Sequence, residues 1–253
     1  MAPTTIHPTA IVAPGARLGQ GVLVGPYVVI EDGTEIGDES SVGPHAVILR
    51  QTRLGARNQI HAHAVIGGTP QDISFRESDT WLVIGDDNIL REGVTAHRAT
   101  RTDAPTRIGS NCFLMAYAHV AHDCRLGDRV IMANNVSLGG HVEIGDHCTL
   151  GGGAGVHQFV RIGAQAMISA HALVKKDVLP FTLVGGQPVR HYRLNSVGLR
   201  RRGITGERYT ALENAFRSLR DGGDLGAGAD TPEVELLRAW LARPSKRGLL
   251  GFV

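Results

Sequence analysis

The segment IHPTAIVAPGARLGQGVLVGPYVVIEDGTEIG, residues 6–37, carries a large apolar residue at every sixth position. The spacing continues unbroken to Ile66, and a second run begins at Ile108 and ends at Val174. Such a long period-six pattern indicates an internal structural repeat. The repeat positions are Ile6, Val12, Leu18, Val24, Ile30, Ile36, Val42, Ile48, Leu54, Ile60 and Ile66, then Ile108, Leu114, Val120, Leu126, Met132, Leu138, Ile144, Leu150, Val156, Ile162, Ile168 and Val174.

A repeat of six residues with one large aliphatic predicts short flat faces separated by tight corners. Three faces close a coil of 18 residues, and successive coils pair as parallel strands about 4.8 Å apart. The residue four positions after each aliphatic also faces the interior and must be small, as Ala46 and Ala64 are. Glycine often follows the aliphatic, as at Gly19 and Gly37. We expect these glycines to supply the positive φ of the corners.

The composition fits a folded protein without a nucleic-acid or membrane role. Among 253 residues, 26 Lys and Arg face 24 Asp and Glu, which gives a net charge of +2 and no case for binding nucleic acid. No apolar run is long enough to span a membrane, and no secretory signal is recognisable, so we expect a cytoplasmic protein. Cys112, Cys124 and Cys148 all fall at the small interior positions, which predicts buried thiols rather than disulfides or a zinc site.

The repeat is interrupted twice and then replaced by helix signals. The interruptions near 67–83 and 98–107 predict surface loops, which commonly carry function. We therefore divide the chain into a β-helix domain over 1–190 and a C-terminal helical domain over 191–253. The predicted tail elements are a helix over 196–202, a helix from Thr205 to about Arg220, a flexible turn over 221–230, and a helix from Thr231 to about Arg243.

The coil length predicts which residues stack. Adding 18 to His122 reaches Gly140, and adding 18 to Asp123 reaches His141. A histidine on a rigid scaffold suits a general base, a carboxylate beside it can orient the ring, and a glycine N–H can stabilise an oxyanion. The alternative is that these are solvated surface histidines, since the chain has 12 in all.

Zinc is the competing chemistry at the histidines. Some proteins built from this repeat bind zinc through three histidines, two of them five residues apart. Here His119 and His122 are three apart, and the earlier His97 lies in an interrupted part of the repeat. We therefore predict no metal.

Several motifs occur together in the order and spacing of one family. The repeat resembles that of the left-handed parallel β-helices of the hexapeptide-repeat class. Within that class, these motifs resemble those of the bacterial UDP-N-acetylglucosamine O-acyltransferases that begin lipid A synthesis. The resemblance covers essentially the whole chain, helical tail included. The motifs are PQD at 70–72, HVAHDC at 119–124, GGHVEIG at 139–145, GVHQFVRIGA at 155–164 and LRRRG at 199–203.

The resemblance implies an active site between the subunits of a homotrimer, with acyl carrier protein as the partner and no cofactor. The donor is then a 3-hydroxyacyl thioester, and the acceptor is the 3-hydroxyl of a UDP-amino sugar. His122 is the implied base, Asp123 orients it, and the Gly140 N–H stabilises the intermediate. Substrate contacts are implied for Gln71, Asp72, His119, His141, His157 and Gln158 in the acceptor and acyl cleft, and for Asn195, Arg201 and Arg202 at the nucleotide end.

Three departures from the family pattern bear on specificity. Ser74 stands where the family has a lysine near the substrate, Val197 where it has a glutamate near the nucleoside, and Ala170 where residue size limits acyl length. N-acylation of a 3-amino UDP-sugar, a paralogue acting on another nucleotide sugar, and a non-catalytic trimeric scaffold remain alternatives.

Overall fold

A computed structural model describes residues 3–225 and 230–253. The repeats form a three-sided prism of parallel sheets, here named A, B and C. Sheet A contains Thr5–Ile6, Leu23–Val24, Ser41–Val42, Gln59–Ile60, Ile89–Leu90, Phe113–Leu114, Ile131–Met132, Thr149–Leu150, Met167–Ile168, Thr182–Gly185 and Arg190–Leu194. Sheet B contains Ile11–Val12, Val29–Ile30, Val47–Ile48, Val65–Gly68, Thr95–His97, His119–Val120, Ser137–Leu138, Gly155–Val156 and Leu173–Val174. Sheet C contains Arg17–Leu18, Glu35–Ile36, Thr52–Leu54, Leu82–Ile84, Thr106–Ile108, Arg125–Leu126, Glu143–Ile144 and Arg161–Ile162.

The register of the sheets confirms the predicted coil of 18 residues. Val120 pairs with Leu138 in sheet B, and Leu138 pairs with Val156 in the next coil. The repeat aliphatics fill the interior, and Ile6 is 45% exposed because none of the described coils lies below it.

The cysteines lie inside the prism, as predicted. Cys112, Cys124 and Cys148 are buried and free. Burial raises the pKa of Cys112 to about 11 and the pKa values of Cys124 and Cys148 to about 12. A thiol in this state is protonated and unreactive at neutral pH.

The expected role of the glycines after each aliphatic is wrong for all of those in the first run except Gly67, which has a positive φ. The positive φ of the corners lies two residues further on, at residues such as Tyr27 and Asp123. The glycines are needed instead for close stacking of coils: a Cβ on Gly37 would lie 2.5 Å from the carbonyl carbon of Gly55. Asn, Asp and His tolerate the left-handed region better than most residues, which lets polar groups occupy the corners.

The two interruptions of the repeat lie on the surface, and one buried arginine joins them. The first runs between Val65–Gly68 and Leu82–Ile84, and the second runs between Thr95–His97 and Thr106–Ile108. Arg98, whose side chain is 1% exposed, donates to Gln51 Oε1 at 2.7 Å and to both Glu77 carboxylate oxygens at 2.8 and 3.0 Å. This arginine anchors the first loop to the prism.

The tail contains the three predicted helices. Helix α1 is Ser196–Arg201, α2 is Gly206–Arg220 and α3 is Pro232–Ala242. Thr231 caps α3 by accepting a hydrogen bond from the Val234 N–H. The turn predicted over 221–230 lies partly outside the described residues, at 226–229.

The helices pack into an apolar cluster of their own, centred on Leu199, Leu212 and Leu237, at one end of the prism. Residue 190, where we divide the chain, begins the strand Arg190–Leu194, which pairs antiparallel with Thr182–Gly185 and continues sheet A. No described helix is long and apolar enough to cross a membrane.

Candidate active site

Two columns of stacked residues form the corner between sheets B and C, hereafter the BC corner. His122, Gly140 and Gln158 follow one another at intervals of one coil, as do Asp123, His141 and Phe159. The His141 N–H donates to the His122 carbonyl at 3.0 Å, and the Phe159 N–H donates to the Gly140 carbonyl at 3.0 Å. The predicted neighbours of His122 and Asp123 therefore stack as the coil length requires.

His122 and Asp123 form a hydrogen-bonded dyad. The His122 Nδ1 lies 2.7 Å from Asp123 Oδ2. A carboxylate only accepts, so Nδ1 carries the proton and Nε2 of the neutral ring is left as a base. Burial would raise the pKa of Asp123, but hydrogen bonds from His122 and Thr100 outweigh it and hold the pKa below its ordinary value. The dyad therefore joins an ionised carboxylate to an imidazole ring that the carboxylate orients.

Thr100 fixes the carboxylate from the other side. Its N–H donates to Asp123 Oδ1 at 3.0 Å and its hydroxyl donates to Oδ2 at 2.7 Å. The backbone of Asp123 is fixed as well, because its N–H donates to the Thr106 hydroxyl at 2.7 Å. Neither threonine was predicted from the sequence, because residues in an interrupted part of the repeat have no register from which to place them.

Gly140 leaves a notch beside the His122 ring. A Cβ at residue 140 would lie 2.5 Å from His122 Cε1 and 2.7 Å from Nε2, so no other residue leaves the ring in place. Within the described part of the chain, the Gly140 N–H makes no hydrogen bond to another residue. The notch therefore offers a base and a spare N–H donor side by side.

His119 and His97 extend the site along sheet B. The His119 Nδ1 lies 2.7 Å from the Thr95 hydroxyl, and its ring meets His97 edge-on at 4.9 Å between centroids. Burial, with the charge of His122, lowers the pKa of His119. Burial, with the charges of His119 and His122, lowers the pKa of His97 to about 4. Both rings are thus neutral at physiological pH.

The first loop brings Asp72 near the dyad. The Ser74 N–H and hydroxyl both donate to Asp72 Oδ1, at 2.8 and 2.7 Å. These bonds lower the pKa of Asp72, and the charge of His122 lowers it further. Ser74 therefore orients the aspartate through two hydrogen bonds. Gln71 is exposed beside it.

His157 and Gln158 lie one coil beyond Gly140 at the same corner. His157 is half-buried, and its Nδ1 donates to the Gln158 carbonyl at 3.1 Å. Gln158 is exposed, and its backbone lies 2.8 Å from where a Cβ on Gly139 would be.

The implied nucleotide-binding residues lie at a different corner, between sheets C and A, hereafter the CA corner. Asn195 caps α1 by accepting from the Gly198 N–H at 3.2 Å, and its amide donates to the Gln165 carbonyl at 3.0 Å. Arg202 donates to the carbonyls of Gly198 and His147, at 3.0 and 3.1 Å. Arg201 is exposed.

The candidate residues therefore form two groups. Gln165 and His147, whose carbonyls accept the hydrogen bonds from the tail, lie where the chain passes from sheet C to sheet A. His122 and Asp123 turn it from sheet B into sheet C. The whole width of sheet C separates these corners within one chain.

Ala170 lies at the third corner, between sheets A and B. It is exposed, and its backbone nitrogen lies 2.5 Å from where a Cβ on Gly151 would be. None of the described residues covers its methyl group tightly.

Three side chains also present possible metal ligands. Within the described residues, ligand atoms of His122, Asp123 and His141 lie within 4.8 Å of one another. This set differs from the three histidines that the zinc alternative names, since His97 and His119 are not in it. The His122–Asp123 hydrogen bond occupies Nδ1 of the histidine and Oδ2 of the aspartate.

Comparisons with known proteins cover nearly the whole chain. A family profile described as UDP N-acetylglucosamine O-acyltransferase, domain 2, matches residues 177–250. A profile of bacterial transferase hexapeptides matches residues 15–50 and 105–140, and one of the hexapeptide repeat of succinyl-transferase matches residues 141–171. The prism and the tail thus each match a profile.

Curated relatives match along nearly their full length. A protein of Thiobacillus denitrificans named acyl-[acyl-carrier-protein]--UDP-N-acetylglucosamine O-acyltransferase is 46% identical over 97% of this chain and 99% of its own. The protein of the same name from Alkalilimnicola ehrlichii is 49% identical over 98% of this chain and 99% of its own.

Solved structures agree in fold. The UDP-N-acetylglucosamine O-acyltransferase of Moraxella catarrhalis superposes with a TM-score of 0.91 at 36% identity, covering 97% of this chain and 99% of its own. The Bacteroides fragilis enzyme gives 0.93 at 33% identity, covering 97% and 100%. A solenoid of the opposite hand would not superpose so closely, so the left-handed coil implied by the resemblance is confirmed. The chain belongs to the acyl-[acyl-carrier-protein]--UDP-N-acetylglucosamine O-acyltransferase family.

Proposed function

We propose that the BC corner transfers a 3-hydroxyacyl chain from acyl carrier protein to the 3-hydroxyl of UDP-N-acetylglucosamine, at the start of lipid A synthesis. The observation that carries the proposal is the notch at Gly140, where Nε2 of His122, which makes no contact with Asp123, adjoins a spare N–H. Acyl transfer to a hydroxyl needs both groups in one place.

His122 moves the proton in this mechanism. Its Nε2 takes the proton of the sugar hydroxyl while the hydroxyl oxygen attacks the thioester carbonyl. The carbon–sulfur bond of the resulting tetrahedral intermediate then breaks, and the imidazolium returns the proton to the departing thiolate of the carrier protein. Asp123, ionised and 2.7 Å from Nδ1, stabilises the imidazolium between these two steps.

The Gly140 N–H stabilises the oxyanion of the tetrahedral intermediate. Loss of one such donor typically costs about 10²–10³ in kcat. The site is already organised before substrate binds, since the stacked coils of the prism fix both backbone and ring. The acyl group arrives as a thioester, so the proposed reaction uses no cofactor and no metal.

A homotrimer explains why the acceptor residues form two groups. We propose that Asn195, Arg201 and Arg202 on the CA corner of one subunit face His122 on the BC corner of the next. Exposed apolar side chains on sheets A and B support an assembly that covers them, since Ile11 is 67% exposed and Leu23 is 54% exposed. The partner in solution is acyl carrier protein, which delivers the donor.

Among the alternatives, hydroxyl acylation is favoured over acylation of an amine, because the named relatives are O-acyltransferases of UDP-N-acetylglucosamine. A non-catalytic scaffold would not require a base at His122, an ionised carboxylate at Asp123 and a glycine notch at Gly140 in register with one another. We place the reaction in the cytoplasm, which the three free, buried thiols support.

The direct test supplies 3-hydroxyacyl carrier protein with UDP-N-acetylglucosamine or its 3-amino analogue and identifies products by mass spectrometry. We expect O-acylated UDP-N-acetylglucosamine, formed at the same rate after treatment with a chelator. Acylation of the amino analogue alone would contradict the proposed acceptor. Loss of activity on chelation, restored by added zinc, would contradict metal-free catalysis and implicate His122, Asp123 and His141 as ligands.

A further inference from the structure

The column that contains Asp123 continues outward through the rings of His141 and Phe159 to Lys246. His141 Nε2 lies 3.5 Å from Asp123 Oδ2. The Phe159 ring stacks on the His141 ring at 4.6 Å between centroids and 10° between planes. Lys246 Nζ lies 4.6 Å from the Phe159 centroid, on the tail of the chain. A continuous contact path therefore links the tail to the carboxylate that orients His122.

The residues around Lys246, 243–248, hereafter the C-terminal segment, are tied to the prism on either side of it. Arg243 pairs with Glu143 on sheet C. Arg247 donates through Nε to the Lys175 carbonyl at 3.2 Å, and the Gly248 carbonyl accepts from the Asp177 N–H at 2.9 Å. A lysine held between such ties is restrained over the ring it covers, which favours a cation–π contact.

The space behind the dyad explains why His141 needs this support. A cavity of about 440 Å³ opens there, between the prism, the second loop and the C-terminal segment. The His141 side chain is 32% exposed, so interior packing alone does not fix its ring. Rotation into the cavity would move it away from Asp123. The stacked Phe159 ring opposes this rotation, beside the edge-on contact of His141 with the His122 ring.

We propose that Phe159, covered by Lys246, is a positioning residue that fixes the His141 ring against Asp123 and thereby keeps the Asp123 carboxylate directed at His122. Neither Phe159 nor Lys246 touches a reacting atom in this arrangement. The inference rests on the proposed function for its catalytic consequence, whereas its structural part, the geometry of the dyad, stands independently.

Charge reinforces the geometry. Burial lowers the pKa of His141, and the charges of His122 and Lys246 lower it further, whereas those of Asp123 and Asp72 raise it. A protonated His141 would compete with His122 for the Asp123 carboxylate. Lys246 therefore helps to keep the Asp123 carboxylate available for its hydrogen bond with His122. The other charged groups around the cavity are Arg101, Asp103, Arg125, Glu143, Arg161 and Arg243.

The test compares Phe159→Leu with Phe159→Tyr, and Lys246→Met with Lys246→Arg, with Lys176→Met as the control for an exposed lysine elsewhere on the prism. We expect Phe159→Leu to lower kcat roughly 10–100-fold, as expected for a small displacement of a catalytic group, with little change in KM or melting temperature. Tyrosine keeps the ring and should restore most of the rate.

The pH profile separates positioning from a merely structural role. Loss of the Lys246 charge raises the pKa of His141, so Lys246→Met should lose activity at a higher pH than wild type on the acid side. Lys246→Arg should restore the acid side of the pH profile to its wild-type position. Lys176→Met should have the same pH profile as wild type. Wild-type kcat and an unshifted limb in folded Phe159→Leu and Lys246→Met would overturn the proposal.

A spectroscopic readout keeps the test independent of activity. A proton held between His122 Nδ1 and Asp123 should give a downfield NMR signal that disappears in His122→Ala. We expect this signal to weaken in Phe159→Leu and to persist in Phe159→Tyr. An inactive wild type would contradict the proposed function alone. An unchanged signal in Phe159→Leu would contradict the positioning role alone.

Discussion

A methyl group on Gly140 would lie 2.5 Å from Cε1 of His122, closer than two carbon atoms can approach. The glycine therefore sets the position of the imidazole ring as well as offering its N–H. Gly140→Ala should displace His122 and lower kcat by at least roughly 10², the usual contribution of a general base. The fold should survive, because the ring can turn outward from the corner.

Gly152 provides the matched control. A Cβ there meets only the Asn134 carbonyl, at 3.5 Å, so Gly152→Ala should keep near-wild-type turnover and melting temperature. Kinetics and thermal unfolding of the two variants side by side distinguish the notch from a general intolerance of side chains at corners. Equal activity in both variants would contradict the role given to Gly140.

The two tail arginines should differ in their effects. Arg201 is exposed, whereas the guanidinium of Arg202 donates to the carbonyls of Gly198 and His147. Arg201→Ala should raise the KM for UDP-N-acetylglucosamine about tenfold with little change in kcat, because a charged hydrogen bond is worth about 1.5–3 kcal/mol. Arg202→Ala should also lower the melting temperature. Unchanged KM in Arg201→Ala would remove it from the nucleotide site.

Ala170 should influence the length of acyl chain transferred. It occupies the position that the family resemblance gives to the chain-length determinant, and its methyl group is exposed in the single chain. Each buried methylene is worth about 0.8 kcal/mol, so Ala170→Gly should shift the preference toward longer 3-hydroxyacyl chains by a several-fold change per carbon. Competition between carrier-bound chains of graded length measures this. Identical profiles for the two proteins would exclude the role.

Protein stability should fall as the pH drops from about 6.5 toward about 4. His191 is buried, accepts a hydrogen bond at Nε2 from the Leu179 N–H, and has a pKa lowered by burial to about 4. Because the unfolded chain binds a proton at His191 that the folded chain excludes, unfolding becomes more favourable through that window. Chemical denaturation at pH 4–7.5 should show a flatter dependence in His191→Gln. An identical slope would contradict this account.

The prism was predictable in detail because its period is strict. Once the coil is 18 residues long, the stacking of Gly140 on His122 and of His141 on Asp123 follows by addition. The same arithmetic places Phe159 above His141, although spacing alone does not indicate that the two rings stack. The position of the positive φ was predicted wrongly, because a glycine-rich position suggests backbone freedom when the requirement here is close contact between coils.

The contacts made by residues in the two interruptions could not be predicted from the sequence. Thr100 reaches Asp123, and Arg98 reaches Glu77, across segments in which no period relates one residue to another. The placement of Arg202 at the CA corner depends on how the tail returns to the prism, which secondary-structure signals do not specify. In a periodic structure the repeat length determines which residues are neighbours. In loops and tails the neighbours of each residue depend on tertiary contacts.

The most direct test of the central claim is the turnover of His122→Ala with 3-hydroxyacyl carrier protein and UDP-N-acetylglucosamine, measured beside thermal unfolding of the same preparation. The account predicts a folded protein whose kcat is lower by at least roughly 10², since Asp123 and Gly140 remain but no group accepts the hydroxyl proton. Near-wild-type turnover in a folded His122→Ala protein would contradict it.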